Sequence, residues 1–397
     1  MIFSDSKDNA IILIWQSAIL SAGGKPAPPA IVANMKILNI VGARPNFMKI
    51  APIMEHMKAS SKITPVLLHT GQHYDQNMND VFFDQLGIPR PDIELGVGSG
   101  GQAWQVSETI RKFDPVLEKA SPDAILVVGD VNATVACALA ASYRKIPVIH
   151  VEAGLRSFDW DMPEEINRVV TDRLSDLLFI TEPSGRENLL KEGTPPEKIQ
   201  FVGNVMVDTL LKHRENAVRT SRILDQLQLQ PGSYAVMTLH RPSNVDQKKI
   251  FAGILHAVHQ ISKQLKIVFT VHPRTRTRIE EFGLEESVKS LILLEPQPYL
   301  DMVHLMSQAK LVLTDSGGIQ EETTVLGVPC LTLRENTERP VTLDEGTNTL
   351  VGASPEAILR EVAQIIKTGG KQGRCPELWD GCAAERIVRF LEQWQPR

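Results

Sequence analysis

The chain has 397 residues, 42 Lys and Arg against 47 Asp and Glu, 43% hydrophobic residues and four cysteines. That length and apolar fraction exclude intrinsic disorder and a disulfide scaffold, and predict two or three domains of ~100–200 residues each. A net charge of −5 with no strong basic patch argues against nucleic-acid and membrane-surface partners, and the few scattered cysteines suit a reducing, cytoplasmic setting.

In chain order, the apolar run Ala10–Ala22 is too short for the ~20 residues a spanning helix needs. Asp5 and Asp8 offset Lys7 ahead of it, and a Gly/Pro/Ala-rich passage follows. Residues 1–34 therefore read as a disordered extension or an upstream start, not as an export signal. From Met35, apolar β-rich runs (KILNIV, TPVLLHT, AILVVGD, PVIHVEA, DLLFITE, IQFVGN) alternate with helical segments such as KIAPIMEHMKA and VACALAASYRK. A second series (YAVMTLH, KIVFTVH, LILLEP, LVLTDSG, PCLTLRE) begins after about residue 206, and the amphipathic segment AAERIVRFLEQW closes the chain. Unbroken Val/Ile/Leu strands with helical crossovers mean parallel sheets covered on both faces, so the expected fold is α/β with two doubly wound halves. The expected domains are 35–205 and 206–372, with 373–397 a helix returning to the first. Ligands of such sheets bind beyond the carboxyl ends of the strands, which places the functional cleft between the halves.

Candidate chemistry lies at those strand ends. Thr314–Glu322 (TDSGGIQEE) is a strand running through Ser316, Gly317 and Gly318 into a helix, a place for a diphosphate, with Glu322 one turn in and able to bind a ribose diol; a tight turn is the simpler reading. Arg44 precedes a helix-opening proline and Lys49 follows a turn later; both can reach the same anion, or Lys49 is an ordinary solvated cation. Asp130, Glu152 and Glu164 end or follow successive strands and together suit proton abstraction and return. Singly, Asp130 could cap the next helix and Glu164 could pair with Arg168. His240 and His272 follow strands of the second series and could bind phosphate or stabilise a leaving group; His69, His73 and His150 read as structural. Gly96–Gly101 matches G-x-G-x-x-G but is not the first βα turn and lacks the following acid, so a nicotinamide site is not expected. No metal-ligand spacing or nucleophile elbow is present, and no metal or cofactor is expected.

The ordered runs GARPNFMKIAPI, HTGQHYD, VVGDVNAT, HVEAGLRSFDWDMPEEINR, FVGN, LHRPSNVD, VHPRTR, LTDSGGIQEE and TERP resemble the non-hydrolysing UDP-N-acetylglucosamine 2-epimerase family over nearly everything from Met35 onward. The resemblance implies a GT-B fold with an interdomain active site, interconversion of UDP-GlcNAc and UDP-ManNAc for surface polysaccharide, and a homodimer. It implies a catalytic set of Lys49, Asp130, Glu152, Glu164 and His240. Its UDP-binding positions fall on Arg44, His272, Ser316, Gly317, Gly318, Glu322 and Arg339. HTGQHYDQNM departs from the GQHREM run of members activated by a second UDP-GlcNAc. VGDVNAT and MPEEINR lean toward relatives acting on UDP-2,3-diacetamido-2,3-dideoxyglucuronate, for whose carboxylate Arg156 and Arg168 are the available cations. A GT-B glycosyltransferase is the alternative of a different class.

Overall fold

Among the described residues every strand pairing is parallel, which is what continuous apolar strands joined by helices require. The computed structural model describes residues 34–71, 87 and 90–396. The expected N-terminal extension and most of HTGQHYDQNM lie outside the described residues. The first sheet holds β1 (Met35–Val41), β2 (Ile63–His69), β3 (Ile93–Glu94), β4 (Ala124–Val128), β5 (Val148–Ala153), β6 (Leu177–Ile180) and β7 (Ile199–Phe201), in the order β3-β2-β1-β4-β5-β6-β7. The second holds β8 (Tyr234–Leu239), β9 (Lys266–Val271), β10 (Ile292–Leu294), β11 (Leu311–Thr314), β12 (Cys330–Thr332) and β13 (Asn348–Leu350), in the order β10-β9-β8-β11-β12-β13. Each is the doubly wound order, with the direction of winding reversing between β1 and β4 and between β8 and β11. Those two reversals open the crevices where ligands settle.

The strands read from sequence are all present. β3 and β13 were not expected: two and three residues long, they carry too little pattern to be told from loop.

Six helices matter for the site: α1 (Arg44–Ala59), α2 (Asn132–Tyr143), α3 (Pro163–Leu174), α4 (Val205–Thr220), α5 (Gly317–Leu326) and α6 (Ala383–Leu391). α1 packs its Ile50, Ile53, Met54 and Met57 against β1 and β4 in one apolar core. Val205, Met206 and Leu210 of α4 join that core, and so do Ile387 and Leu391 of α6, with Phe390 and Trp394 half-buried beside them. The last helix thus shows the face expected of it. Among the described residues no helix is long and apolar enough to cross a membrane.

Candidate functional site

The turn from β1 into α1 is built by Asn46, which sequence reasoning overlooked. Its Oδ1 accepts from the backbone N–H groups of Gly42 (3.1 Å) and Ala43 (2.9 Å), and its Nδ2 donates to the Val128 carbonyl (3.0 Å). The start of α1 is thereby tied to the end of β4. Lys49 follows one turn on and is 7% exposed, so it is not a solvated helix cation. Its Nζ lies 2.5 Å from Glu152 Oε2. A β-carbon on Gly129 would stand 2.8 Å from that ammonium, and Gly129 has φ +65°, so both space and backbone demand glycine there. Arg44 opens α1, but its side chain lies outside the described residues.

Glu152 interrupts β5 with φ +74°, at a register shift between Val151 and Ala153 in the pairing with β6. A left-handed backbone at a glutamate costs on the order of 1–3 kcal/mol. The neighbouring contacts hold it: Oε2 faces Lys49, and Oε1 accepts from Arg339 Nη2 at 3.1 Å.

Asp130 does not cap α2, whose N-cap residue, Val131, makes no side-chain bond. Its Oδ2 instead accepts from Arg168 Nε at 3.0 Å. Burial alone would push this carboxyl up, but the charges of Arg168, Lys49 and Arg339 outweigh it and hold it below the usual carboxylate range. Glu164 does not pair with Arg168 either. That guanidinium is taken by Glu165 and Asp130, which leaves the Glu164 carboxylate at the cavity with no ion pair among the described residues.

In the second half the organising residue is Asp315, fully buried after β11. Its carboxylate accepts the backbone N–H groups of His240 and Arg241 and the Asn244 amide, and lies 2.8 Å from His240 Nδ1. These donors outweigh burial and keep Asp315 ionised, its carboxyl below the ordinary range. A carboxylate on Nδ1 places the proton there and leaves His240 Nε2 as the free ring nitrogen. His272, exposed and the N-cap of Pro273–Phe282, holds its ring 6.0 Å from that of His240 at a 47° tilt and lines a smaller adjoining cavity with Ser316.

At the start of α5, Ser316 makes no side-chain cap, so the first-turn N–H groups are available to an anion. Gly317 has a second reason to be glycine. A β-carbon there would lie 2.5 Å from Arg339 Nη1 and 2.8 Å from Glu338 Oε1. Arg339 is not an open cation: its Nε donates to Glu321 (2.6 Å), Nη1 to Glu338 (2.6 Å) and Nη2 to Glu152. Glu338, also missed from sequence, lies among the guanidinium groups of Arg339, Arg334 and Arg241, which overcome its burial and hold its carboxyl well below the ordinary range. Glu322 is buried and accepts from the Tyr299 hydroxyl at 3.1 Å. Burial raises its pKa to about 7, only partly opposed by that bond.

These groups converge on one cavity of about 510 Å³ between the two sheets. The first half contributes Lys49, Asp130 and Glu164; the second contributes His240, Ser316, Gly317, Gly318, Glu322 and Arg339. Glu152 stands behind the wall, reached through Lys49 and Arg339, and His272 lies next door. The cations proposed for a sugar carboxylate are already engaged: Arg156 by Asp172 and Glu192, Arg168 by Asp130 and Glu165.

The family model for UDP-N-acetylglucosamine 2-epimerase matches residues 55–392. The chain is 41% identical over 364 residues to the UDP-N-acetylglucosamine 2-epimerase of Methanocaldococcus jannaschii, covering 90% of this chain and 99% of that one. It is 38% identical over 361 residues to the UDP-2,3-diacetamido-2,3-dideoxy-D-glucuronate 2-epimerase of Pseudomonas aeruginosa, with 90% and 99% covered. Among solved structures it is similar to the M. jannaschii UDP-GlcNAc 2-epimerase in complex with UDP-GlcNAc and UDP (TM-score 0.85, 40% identity, 91% and 100% covered). It is also similar to the Neisseria meningitidis UDP-GlcNAc 2-epimerase bound to UDP-GlcNAc (TM-score 0.82, 33% identity, 91% and 100% covered).

Proposed function

Because the chain belongs to the UDP-N-acetylglucosamine 2-epimerase family, we propose that it interconverts UDP-GlcNAc and UDP-ManNAc at C2 by eliminating UDP and adding it back. The observation that carries this reading is the convergence of acids and an anion-binding helix end on one cavity. The hydrogen at C2 is too weakly acidic for simple exchange. A carboxylate takes it as the C1–O bond to the β-phosphate breaks, and UDP leaves with the electron pair. The product is a 2-acetamidoglucal. Return of a proton to the opposite face of C2 and re-addition of the phosphate oxygen to C1 complete the inversion. Asp130, ionised and on the wall, suits the base; Glu164, whose carboxylate has no ion pair among the described residues, suits the opposing step; Glu152 sets Lys49. The first turn of α5 and Arg44 would stabilise the departing diphosphate, joined by His240 when Nε2 as well as Nδ1 carries a proton, and Glu322 would hold the ribose.

The P. aeruginosa relative supports a second substrate, the diacetamido uronate, but Arg156 and Arg168, the cations considered for its carboxylate, are both engaged in ion pairs. We read domain boundaries at 205/206 and 372/373, with α4 packing across the first of them. We read the enzyme as cytoplasmic, supplying ManNAc-type sugars for surface polysaccharide. It assembles as a homodimer, for which exposed Phe158, Trp160 and Ile166 offer apolar surface. The test is proton NMR with UDP-GlcNAc in deuterated water. Deuterium at C2 in a UDP-GlcNAc and UDP-ManNAc mixture is the expected result. Exchange only with the diacetamido uronate moves the substrate, and no exchange with either overturns the reading.

A further inference from the structure

His150 is fully buried in β5 and lines no cavity described above, yet both its ring nitrogens are engaged. Nε2 lies 2.9 Å from the Gly129 carbonyl oxygen, which can only accept, so Nε2 carries a proton. Nδ1 lies 2.7 Å from Asp172 Oδ1. Asp172 Oδ2 in turn accepts from the Gly154 backbone N–H (3.0 Å) and meets Arg156 Nη1 at 2.7 Å. A carboxyl receiving those donors is ionised, so Nδ1 carries a proton as well. The ring is an imidazolium, sealed inside the first half and joined through Arg156 to Glu192 at the surface.

The anchor points of this unit give it meaning. Gly129 immediately precedes Asp130, Gly154 follows Glu152 by two residues, and Asp172 belongs to α3, whose first turn carries Glu164. Gly129 and Gly154 have φ +65° and +79°, so side-chain sterics do not fix the peptide orientation at either point. The two hydrogen bonds do. A buried ion pair is a poor stabiliser compared with an apolar pair of equal volume, so stability alone does not account for it.

We propose that His150 and Asp172 form a buried clamp that sets the spacing of Asp130, Glu152 and Glu164, acting as positioning residues for the C2 proton transfers. The inference rests on the reading of Asp130 and Glu164 as the groups that move the proton and of Glu152 as the group that sets Lys49. Misplacing a proton-transfer group by a fraction of an ångström lowers turnover without touching the nucleotide, which on this reading is held mainly by the other half.

The experiment compares full-length wild type with His150→Asn, Asp172→Asn and Asp130→Asn, measuring C2 deuterium exchange from UDP-GlcNAc and UDP affinity by calorimetry. Folding is checked by circular dichroism. The clamp variants are expected to lose ~10- to 100-fold in kcat, with KM and the Kd for UDP within ~3-fold. Full kcat in folded His150→Asn and Asp172→Asn overturns the clamp, and so does a loss confined to KM. Exchange that survives in Asp130→Asn overturns the reading of the acids and the clamp with it. Loss in Asp130→Asn alone overturns only the clamp. Should the clamp variants not fold, nitrogen-15 NMR of the wild type decides: both His150 ring nitrogens protonated is the expected signature, and one bare nitrogen overturns the proposal.

Discussion

The two sheets share one strand order but put different chemistry at the point where their winding reverses. In the first, the crevice between β1 and β4 is furnished with Lys49 and Asp130, charged groups held in buried pairs with Glu152 and Arg168. In the second, the crevice between β8 and β11 presents an uncapped helix end and a histidine whose ring is oriented by a buried aspartate. The topology supplies position only. Charge and tautomer come from what each strand end packs against, so the proposed proton transfer and anion binding are expected to be separable by mutation.

The largest effect that would break this division is expected from Asp130→Asn. It leaves the second half untouched, so C2 exchange should fall by ~10²–10⁴-fold, as for loss of a general base, while calorimetry finds UDP affinity within a few-fold. Equal losses of both would show that the halves are not separable. Gly317→Ala tests the opposite side. The added methyl meets Arg339 and Glu338, and overpacking of ~1–3 kcal/mol should lower the melting temperature and weaken UDP binding about tenfold or more. Unchanged binding would deny α5 its role as anion site.

Asp315→Asn removes the charge that fixes the His240 ring. UDP affinity is expected to drop ~5- to 50-fold, and the NMR signature of an Nδ1-protonated ring to be lost, with the carboxylates of the first half still titrating as before. The smallest effect sharpens the comparison through pH. Glu322 has a folded pKa of about 7, raised by burial above its ordinary value of 4.5. The native state therefore holds a proton that the unfolded chain releases between those two values, and stability falls as pH rises through that window. Glu322→Gln should be more stable than wild type by up to ~3 kcal/mol above pH 7, with the advantage gone below pH 4.5; thermal melts at pH 4.5, 6 and 8 check it. An advantage that is the same at every pH would place the cause outside the carboxyl.

Much of this was legible from residues alone, for identifiable reasons. Strands such as AILVVGD and LVLTDSG are apolar throughout and end in a charge, so both the sheet and its functional edge could be read along one segment. Asp130 and Glu152, two of the acids proposed for the chemistry, were visible because they stand at those ends. What stayed hidden depends on partners distant in sequence. Arg339 meets Glu152 across 187 positions, and Arg168 prefers Asp130 and Glu165 to the Glu164 that helical spacing favours. Asn46 and Glu338 look like ordinary polar residues until the backbone groups and guanidinium groups they serve are brought to them, and Asp315, visible at its strand end, showed nothing of the His240 and Arg241 groups it binds. Glu152 gave no local sign of its left-handed backbone, because glutamate is not a residue that favours one.

The position of α6 bears on how the molecule is made. Ile387 and Leu391 fill the same core as Ile50 and Ile53 of α1, although more than 300 residues separate them. During synthesis, that core stays open on one side while the whole second sheet emerges. The half translated first is the half completed last, and a chain lacking residues 383–397 would keep its anion cradle while the helix bearing Lys49 lost its outer wall.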